Sequence, residues 1–256
     1  LSNAKPVLEH FDIPATVFIT SGYVGATREF WWDELEQILL RPCQLPATLE
    51  LSIGEKKWHW DLGPAAHYTE AEYRRELNRK AWQGKPGSRH AFFYSIWQTL
   101  QPLNDCARLP LLDAISAWAG ARPEVRPSHR ALDENELRSF AGNGLLEIGA
   151  HTVSHPFLPA HPLNVQFEEI KDSKRQLEIL LNSPVTSFAY PHGSYNGETR
   201  AMVKEAGFTS AFTSVERLAR PGIGCLELPR FQVEDWSGEE FLKRLEFWLG
   251  NRRFPC

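Results

Sequence analysis

The chain has 256 residues, 42% of them hydrophobic and 23% charged, a globular composition with length for one sizeable domain or two small ones. A formal charge of −4 without a basic run excludes a nucleic-acid surface, whose affinity comes from clustered Lys and Arg. Cys43, Cys106, Cys225 and Cys256 are scattered without a C-x-x-C, which argues against a zinc ribbon or a disulfide scaffold. No apolar run reaches the roughly 18 residues that cross a bilayer, and the amino end shows no basic flank before an apolar stretch, so the chain reads as soluble, with no membrane span.

In chain order, "KPVLEHFDIPATVFIT" predicts a helix end, a turn at Asp12 to Pro14 and a buried strand over 15–20. "EFWWDELEQILL" (29–40) predicts an amphipathic helix. From about 40 to 130 the texture changes: "TLELSIGEKKWHWDL" predicts a hairpin turning at Gly54 and Glu55, and "TEAEYRRELNRKAW", "HAFFYSIWQTL" and "RLPLLDAISAWAG" have helical spacing. This is a mostly helical insertion. Beyond Leu132 an α/β rhythm follows: helix 133–144, strand 145–150, helix 164–182, strand 186–190, helix 197–207, strand 208–214, strand 226–231 and helix 238–249. Alternating strands and helices imply a parallel sheet or barrel, in which ligands gather beyond the carboxyl ends of the strands.

Three segments just past such ends carry chemistry. "EIGAHTVSHPFL" places His151 and His155 four apart where a strand is expected to open into a helix; on a helical turn they share one face, able to meet one cation. The bland alternative is a polar helix start capped by Thr152 and Ser154. "FAYPHGSYN" (188–196) and "LPRFQVEDW" (228–236) follow.

In this order and spacing, "AHTVSH", "FAYPHGSYN" and "LPRFQVEDW" resemble the polysaccharide deacetylase family, carbohydrate esterase family 4. The resemblance covers residues 1–20 and 132–249 and breaks only at the insertion. It implies a single domain with the fold of a distorted (β/α) barrel, built from segments 1–39 and 131–249 around the insertion at about 40–130. It also implies a divalent metal, usually zinc, with His151 and His155 as metal ligands, and an N- or O-acetylated oligo- or polysaccharide as substrate. In such chemistry the metal polarises an acyl oxygen and acidifies water, while a carboxylate removes the proton and an acid protonates the leaving group.

By the same resemblance, the backbone near His192 helps bind the oxyanion, Tyr190 and Pro191 wall a groove, and Gly193 permits the turn; Ala189 stands where many members have an arginine. Asp235 and Trp236 match an Asp-Trp element whose carboxylate tunes a catalytic histidine and whose indole lines the pocket. Arg230 is a candidate partner for a carboxylate near the site. Trp31 and Trp32 are candidate sugar-stacking residues, the alternative being that they anchor an amphipathic helix to the core. The family's late histidine, its usual general acid, has no counterpart after Trp236, which leaves His192 as the substitute. His129, like the other remaining histidines, reads as surface or core.

The family's T-F-D-D-G motif, which supplies the base and an anionic metal ligand at the end of the first strand, does not occur, and the sequence has no D-D pair. Leu1 falls inside the helix expected after that strand, so the first barrel strand is missing and a natural chain with the motif upstream is expected. The leading expectation is a metal-dependent deacetylase. The alternatives are a catalytically impaired carbohydrate-binding relative and an amidase on a non-sugar substrate. Removing the first strand should leave 15–20 as an exposed edge, prone to self-association.

Overall fold

The computed structural model describes residues 3–140 and 144–250; the end of the helix expected over 133–144 and the Cys256 thiol fall outside them. It divides into two compact units, residues 1–22 with 134–256, and residues 23–133. In the first unit, helix α1 (Ala4–His10) turns into strand β1 (Ala15–Ile19) through Asp12, whose φ of 54° is a conformation that a short polar side chain tolerates.

The 23–133 unit opens with α2 (Trp31–Leu39), whose first-turn Asp33 and Glu34 suit the positive end of the helix. Strands β2 (Cys43–Gln44), β3 (Thr48–Ile53), β4 (Lys56–Asp61) and β5 (His67–Tyr68) pair antiparallel, β2 with β5 and β3 with β4; the β3–β4 hairpin turns at Gly54 and Glu55 as expected. Helix α3 (Glu70–Glu76) starts at a Thr69/Glu72 capping box, α4 (Arg89–Leu100) at Ser88, and α5 (Asp105–Ala119) at Asn104. Trp31, Leu35, Leu39, Ile96, Leu100, Leu112 and Ile115 form the core between these helices. Two arginines are buried with it, each 1% exposed. Arg89 donates to the carbonyls of Leu39, Cys43, Ala65 and Ala66, and Arg108 to those of Leu100, Gln101 and Leu103 and to Asp105. Buried guanidinium is tolerated because each fork is filled by oxygens. The unit's two ends are tied together: the Gly25 amide donates to the Leu132 carbonyl at 2.9 Å.

The chain then returns to the first unit with α6 (Glu134–Phe140), β6 (Leu146–Ala150), α7 (Leu163–Leu181), β7 (Ser187–Ala189), α8 (Gly197–Glu205), β8 (Ser210–Phe212) and α9 (Gly238–Trp248). The strands form a parallel sheet in the order β1-β6-β7-β8, with helices between them, so the α/β class expected from the alternation holds. Ala15 to Ile19 pair in register with Leu146 to Ala150. This close pairing needs Gly149: a Cβ there would come within 2.5 Å of the Phe18 ring. Among the described residues the sheet is open, and β1, paired on one side only, is an edge.

The strand expected over 226–231 is reduced to a single parallel bridge, Leu228 to Phe212. Leu228 exchanges backbone bonds with Ala211 and Thr213, but two residues on the Arg230 amide bonds the Val215 carbonyl, and the Thr213 carbonyl that a regular ladder would offer it accepts Arg230 Nε instead.

Candidate metal and active site

The histidine bend lies past the carboxyl end of β6 and the 190–193 turn past that of β7, whereas the 228–236 segment follows only the single bridge at Leu228. The β1–β6 ladder runs on beyond both strands. The His151 amide donates to the Ile19 carbonyl, and the Ser21 and Gly22 amides donate to the carbonyls of Thr152 and Val153 at 3.0 and 2.9 Å. The chain approaches so closely that a Cβ on Gly22 would sit 2.7 Å from the Val153 oxygen.

After this zipped stretch the expected helix does not form. Residues 151–157 are an irregular bend in which Thr152 (φ 65°) and His155 (φ 60°) are left-handed. A β-branched residue in that region is a true outlier, so the four-residue spacing brings the histidines together by a fixed bend instead of a helical face. Thr152 is fully buried; its hydroxyl donates to the His151 carbonyl at 2.5 Å and accepts the His155 amide at 3.0 Å.

The bend puts the His151 and His155 rings edge to face with centroids 4.7 Å apart, and His192 stands edge to face against His155 at 4.6 Å. Nδ1 of His151 lies 2.7 Å from the Ala189 carbonyl on β7. A carbonyl only accepts, so Nδ1 carries the proton and Nε2 keeps its lone pair, the tautomer of a metal-binding imidazole. Burial pushes the His151 pKa down to about 4, and the positive side of Arg230 and His192 adds to it, so the ring is neutral at pH 7 as a ligand must be.

His192 belongs to a tight turn, Pro191–Gly193, in which His192 (φ 57°) and Gly193 (φ 64°) are both left-handed. The Gly193 and Ser194 amides are used inside the turn, bonding the Tyr190 and Pro191 carbonyls. Gly193 is required twice over, by its φ and because a Cβ would meet Ser214 Oγ at 1.8 Å.

Other expected contacts are placed differently. Tyr190, expected to wall a groove, is 1% exposed and lies under the turn, stacked on Tyr195 at 4.5 Å with its hydroxyl on the Leu226 carbonyl. Pro191 is buried with it. Trp31, expected to stack on sugar, is 1% exposed in the core of the 23–133 unit, stacked on Trp97 and covered by the Arg108 guanidinium at 4.6 Å. Trp32 uses a face on Phe30, with rings 4.6 Å apart and nearly parallel. Both indoles are packing groups, the ordinary fate of aromatic residues that open an amphipathic helix. Asp235 is exposed, and its carboxylate bonds no histidine among the described residues. Trp236 is partly buried, held by the Arg244 guanidinium at 4.1 Å and by Trp248. Arg230 finds no carboxylate among the described residues: its Nε donates to the Thr213 carbonyl and its head lies over Phe18 and Phe212.

The sequence reading missed the support of the histidine bend, which is a polar row on α7. Gln166, Glu169, Ser173 and Gln176 recur at helical spacing on one face. Glu169 accepts the Val153 amide (2.8 Å), the Ser154 amide (2.9 Å) and the Ser154 hydroxyl (2.7 Å). Gln176 accepts the Ser21 hydroxyl at 2.7 Å, and Gln166 bonds Thr199 and the His161 carbonyl. The signal was available: polar side chains standing where the apolar stripe of a packed helix belongs.

One group of three ligand-type side chains among the described residues brings its atoms within 4.8 Å of one another: Asp33, Glu36 and His129, in the 23–133 unit. Arg126 lies beside these carboxylates and acts electrostatically on Asp33, so positive charge is already supplied there.

Comparison with known proteins gives three findings. Residues 114–211 match the family model described as polysaccharide deacetylase, a span containing both histidines and the "FAYPHG" turn. No curated protein sequence matches the chain. Similar solved structures include the Streptococcus pyogenes deacetylase PplD in complex with acetate (29% identity, 46% of this chain and 52% of that chain, TM-score 0.41). IcaB from Ammonifex degensii (21% identity, 49% and 56%, TM-score 0.43) and a polysaccharide deacetylase from Bacillus cereus (23% identity, 46% and 37%, TM-score 0.41) are also similar. The chain spans about half the length of the first two and less of the third. Among the described residues no helix is long and apolar enough to cross a membrane.

Proposed function

We propose, from the match of residues 114–211 to the polysaccharide deacetylase family model, that this chain carries the histidine side of a metal-dependent hydrolase site that removes acetyl groups from N- or O-acetylated polysaccharide. The observation that carries the reading is the His151–His155 pair, with His151 Nδ1 fixed on the Ala189 carbonyl and the ring kept neutral by burial. An imidazole so prepared, with a second one 4.7 Å away between ring centroids, fits a divalent metal, zinc by ligand type. When bound, that ion would supply Lewis-acid polarisation and an acidified water.

The chain's own residues do the rest. The Ala189 carbonyl sets the His151 tautomer, and Thr152 locks the peptide between the two histidines. His192, exposed and in ring contact with His155, is placed to exchange a proton with solvent beside the pair. Asp235, exposed to solvent, is the candidate base, and Trp236 the candidate pocket wall.

The test is zinc titration by calorimetry on the wild type, His151→Ala and His155→Ala, together with acetate release from acetylated chitooligosaccharides. We expect about one ion per chain and at least a ~10-fold loss of affinity in each variant, in line with loss of a ligand. Zinc binding in both variants equal to that of the wild type would remove the metal assignment, and acetate release unchanged by either substitution would remove the catalytic one.

A further inference from the structure

The bend that carries His151 and His155 runs against its own backbone preferences. Thr152 and His155 are both left-handed, and for a buried threonine that conformation persists only where surrounding bonds over-determine it. From the strand side, the Ser21 and Gly22 amides hold the Thr152 and Val153 carbonyls. From the opposite side the bend presents two consecutive amides and a hydroxyl, and all three end on one carboxylate, that of Glu169.

This grip depends on the bent shape. In a strand, successive N–H groups point to opposite sides, and in a helix interior they are engaged by preceding carbonyls. Here the bend turns the Val153 and Ser154 amides toward the same oxygen, which neither a strand nor a helix interior would do. Bonds to an ionised carboxylate are about twice as strong as neutral ones. Glu169 also sits mid-helix on α7, four residues before the buried Ser173 and seven before Gln176, which bonds Ser21. One rigid helix face therefore braces both chains of the zipped strand end.

We propose that Glu169 is the positioning residue of this site: it keeps the 151–155 bend in the conformation that converges the two imidazoles. Its bearing on catalysis rests on the metal reading above, whereas its hold on the bend does not.

Amide hydrogen exchange on the intact protein, for the wild type, Glu169→Ala and Glu169→Gln, tests it, with zinc affinity measured in parallel. The decisive amides are those of Ser21, Gly22 and His155, which bond Thr152 and Val153 and never touch Glu169. Glu169→Ala should speed their exchange about tenfold or more and weaken zinc binding by a similar factor, the scale for losing a charged acceptor of buried donors. Glu169→Gln should stay within about threefold of wild type, because its amide oxygen accepts the two N–H groups while its NH2 donates to the Ser154 hydroxyl. Amides of Val17 and Ile148 in the sheet report whether the fold is intact, and Ser154→Ala, which deletes one of the three bonds, provides a milder variant if Glu169→Ala unfolds.

Unchanged exchange at Ser21, Gly22 and His155 in Glu169→Ala would overturn the proposal, as would a glutamine variant as damaged as the alanine one. Glu169-dependent exchange in a protein that binds no zinc would support the positioning role and sink the metal reading instead.

Discussion

Gly193 offers the sharpest quantitative check on the site geometry. Replacing it with alanine puts a Cβ on a residue with φ of 64°, 1.8 Å from Ser214 Oγ and 2.6 Å from Ser214 Cβ. The left-handed conformation costs an L-residue about 1–2 kcal/mol, and forcing a methyl into filled space costs about 1–3 kcal/mol. The hydroxyl can rotate away but the Ser214 Cβ cannot, so both terms apply and the expected loss is about 3 kcal/mol. For a unit of this size that lowers the melting midpoint by roughly 10 °C. The two contributions separate in a cycle: Ser214→Gly removes both colliding atoms, so the double variant should recover about 2 kcal/mol and keep only the conformational cost. Melting curves of the four proteins, followed by near-ultraviolet circular dichroism, measure this. A Gly193→Ala protein that melts with the wild type, or a Ser214→Gly change that gives no recovery, would show that the 190–194 turn is not packed as described.

Two pH effects follow from burial. The His151 pKa is depressed from 6.5 to about 4, so the unfolded chain binds the proton more readily; stability is full above about 6.5 and is lost as pH falls toward 4. The loss is about 2 kcal/mol once discounted for the part of the residue that reaches solvent, and urea midpoints across that window should stay flat for His151→Ala if this ring is the cause. Asp33 has the opposite sign: burial raises its pKa from 3.8 to about 6, so stability falls as pH rises between those values and the penalty is complete at pH 7. Asp33→Asn should therefore stabilise the protein at pH 7 by about 1–2 kcal/mol after the same discount and have little effect at pH 4; destabilisation at pH 7 would mean that the carboxylate is held by a partner.

The strands and helices around the site were legible because their signals are local. The apolar run before His151 and the alternation beyond Leu132 depend on neighbouring residues alone. What failed depends on the third dimension. Spacing alone cannot tell that His151 and His155 converge through left-handed residues, because a threonine at φ 65° is a conformation that propensity argues against. Leu226 to Phe231 looked like a strand, yet the Arg230 amide bonds Val215 instead of Thr213 and regular pairing stops at one bridge. Trp31 and Tyr190 were read outward because aromatic rings suit sugars, when the same area suits a core. Glu169 is marked locally only by the polar row of its own helix; its donors lie 15 and 16 residues away, so what it grips could not be read.

The bond between the Gly25 amide and the Leu132 carbonyl also alters the statistics of chain closure. Strand ends that meet in the sheet are far apart in sequence, with Thr20 and His151 separated by 131 positions. Once the intervening unit has folded and drawn its own ends together, the path joining β1 to β6 shortens to a few tens of residues. That is a little over two halvings of the loop, each worth about 0.6 kcal/mol of closure entropy. The helical unit thus serves its host as a removable length of rope tied off at the neck, and the first parallel pair of the sheet forms at the contact distance of a much smaller protein.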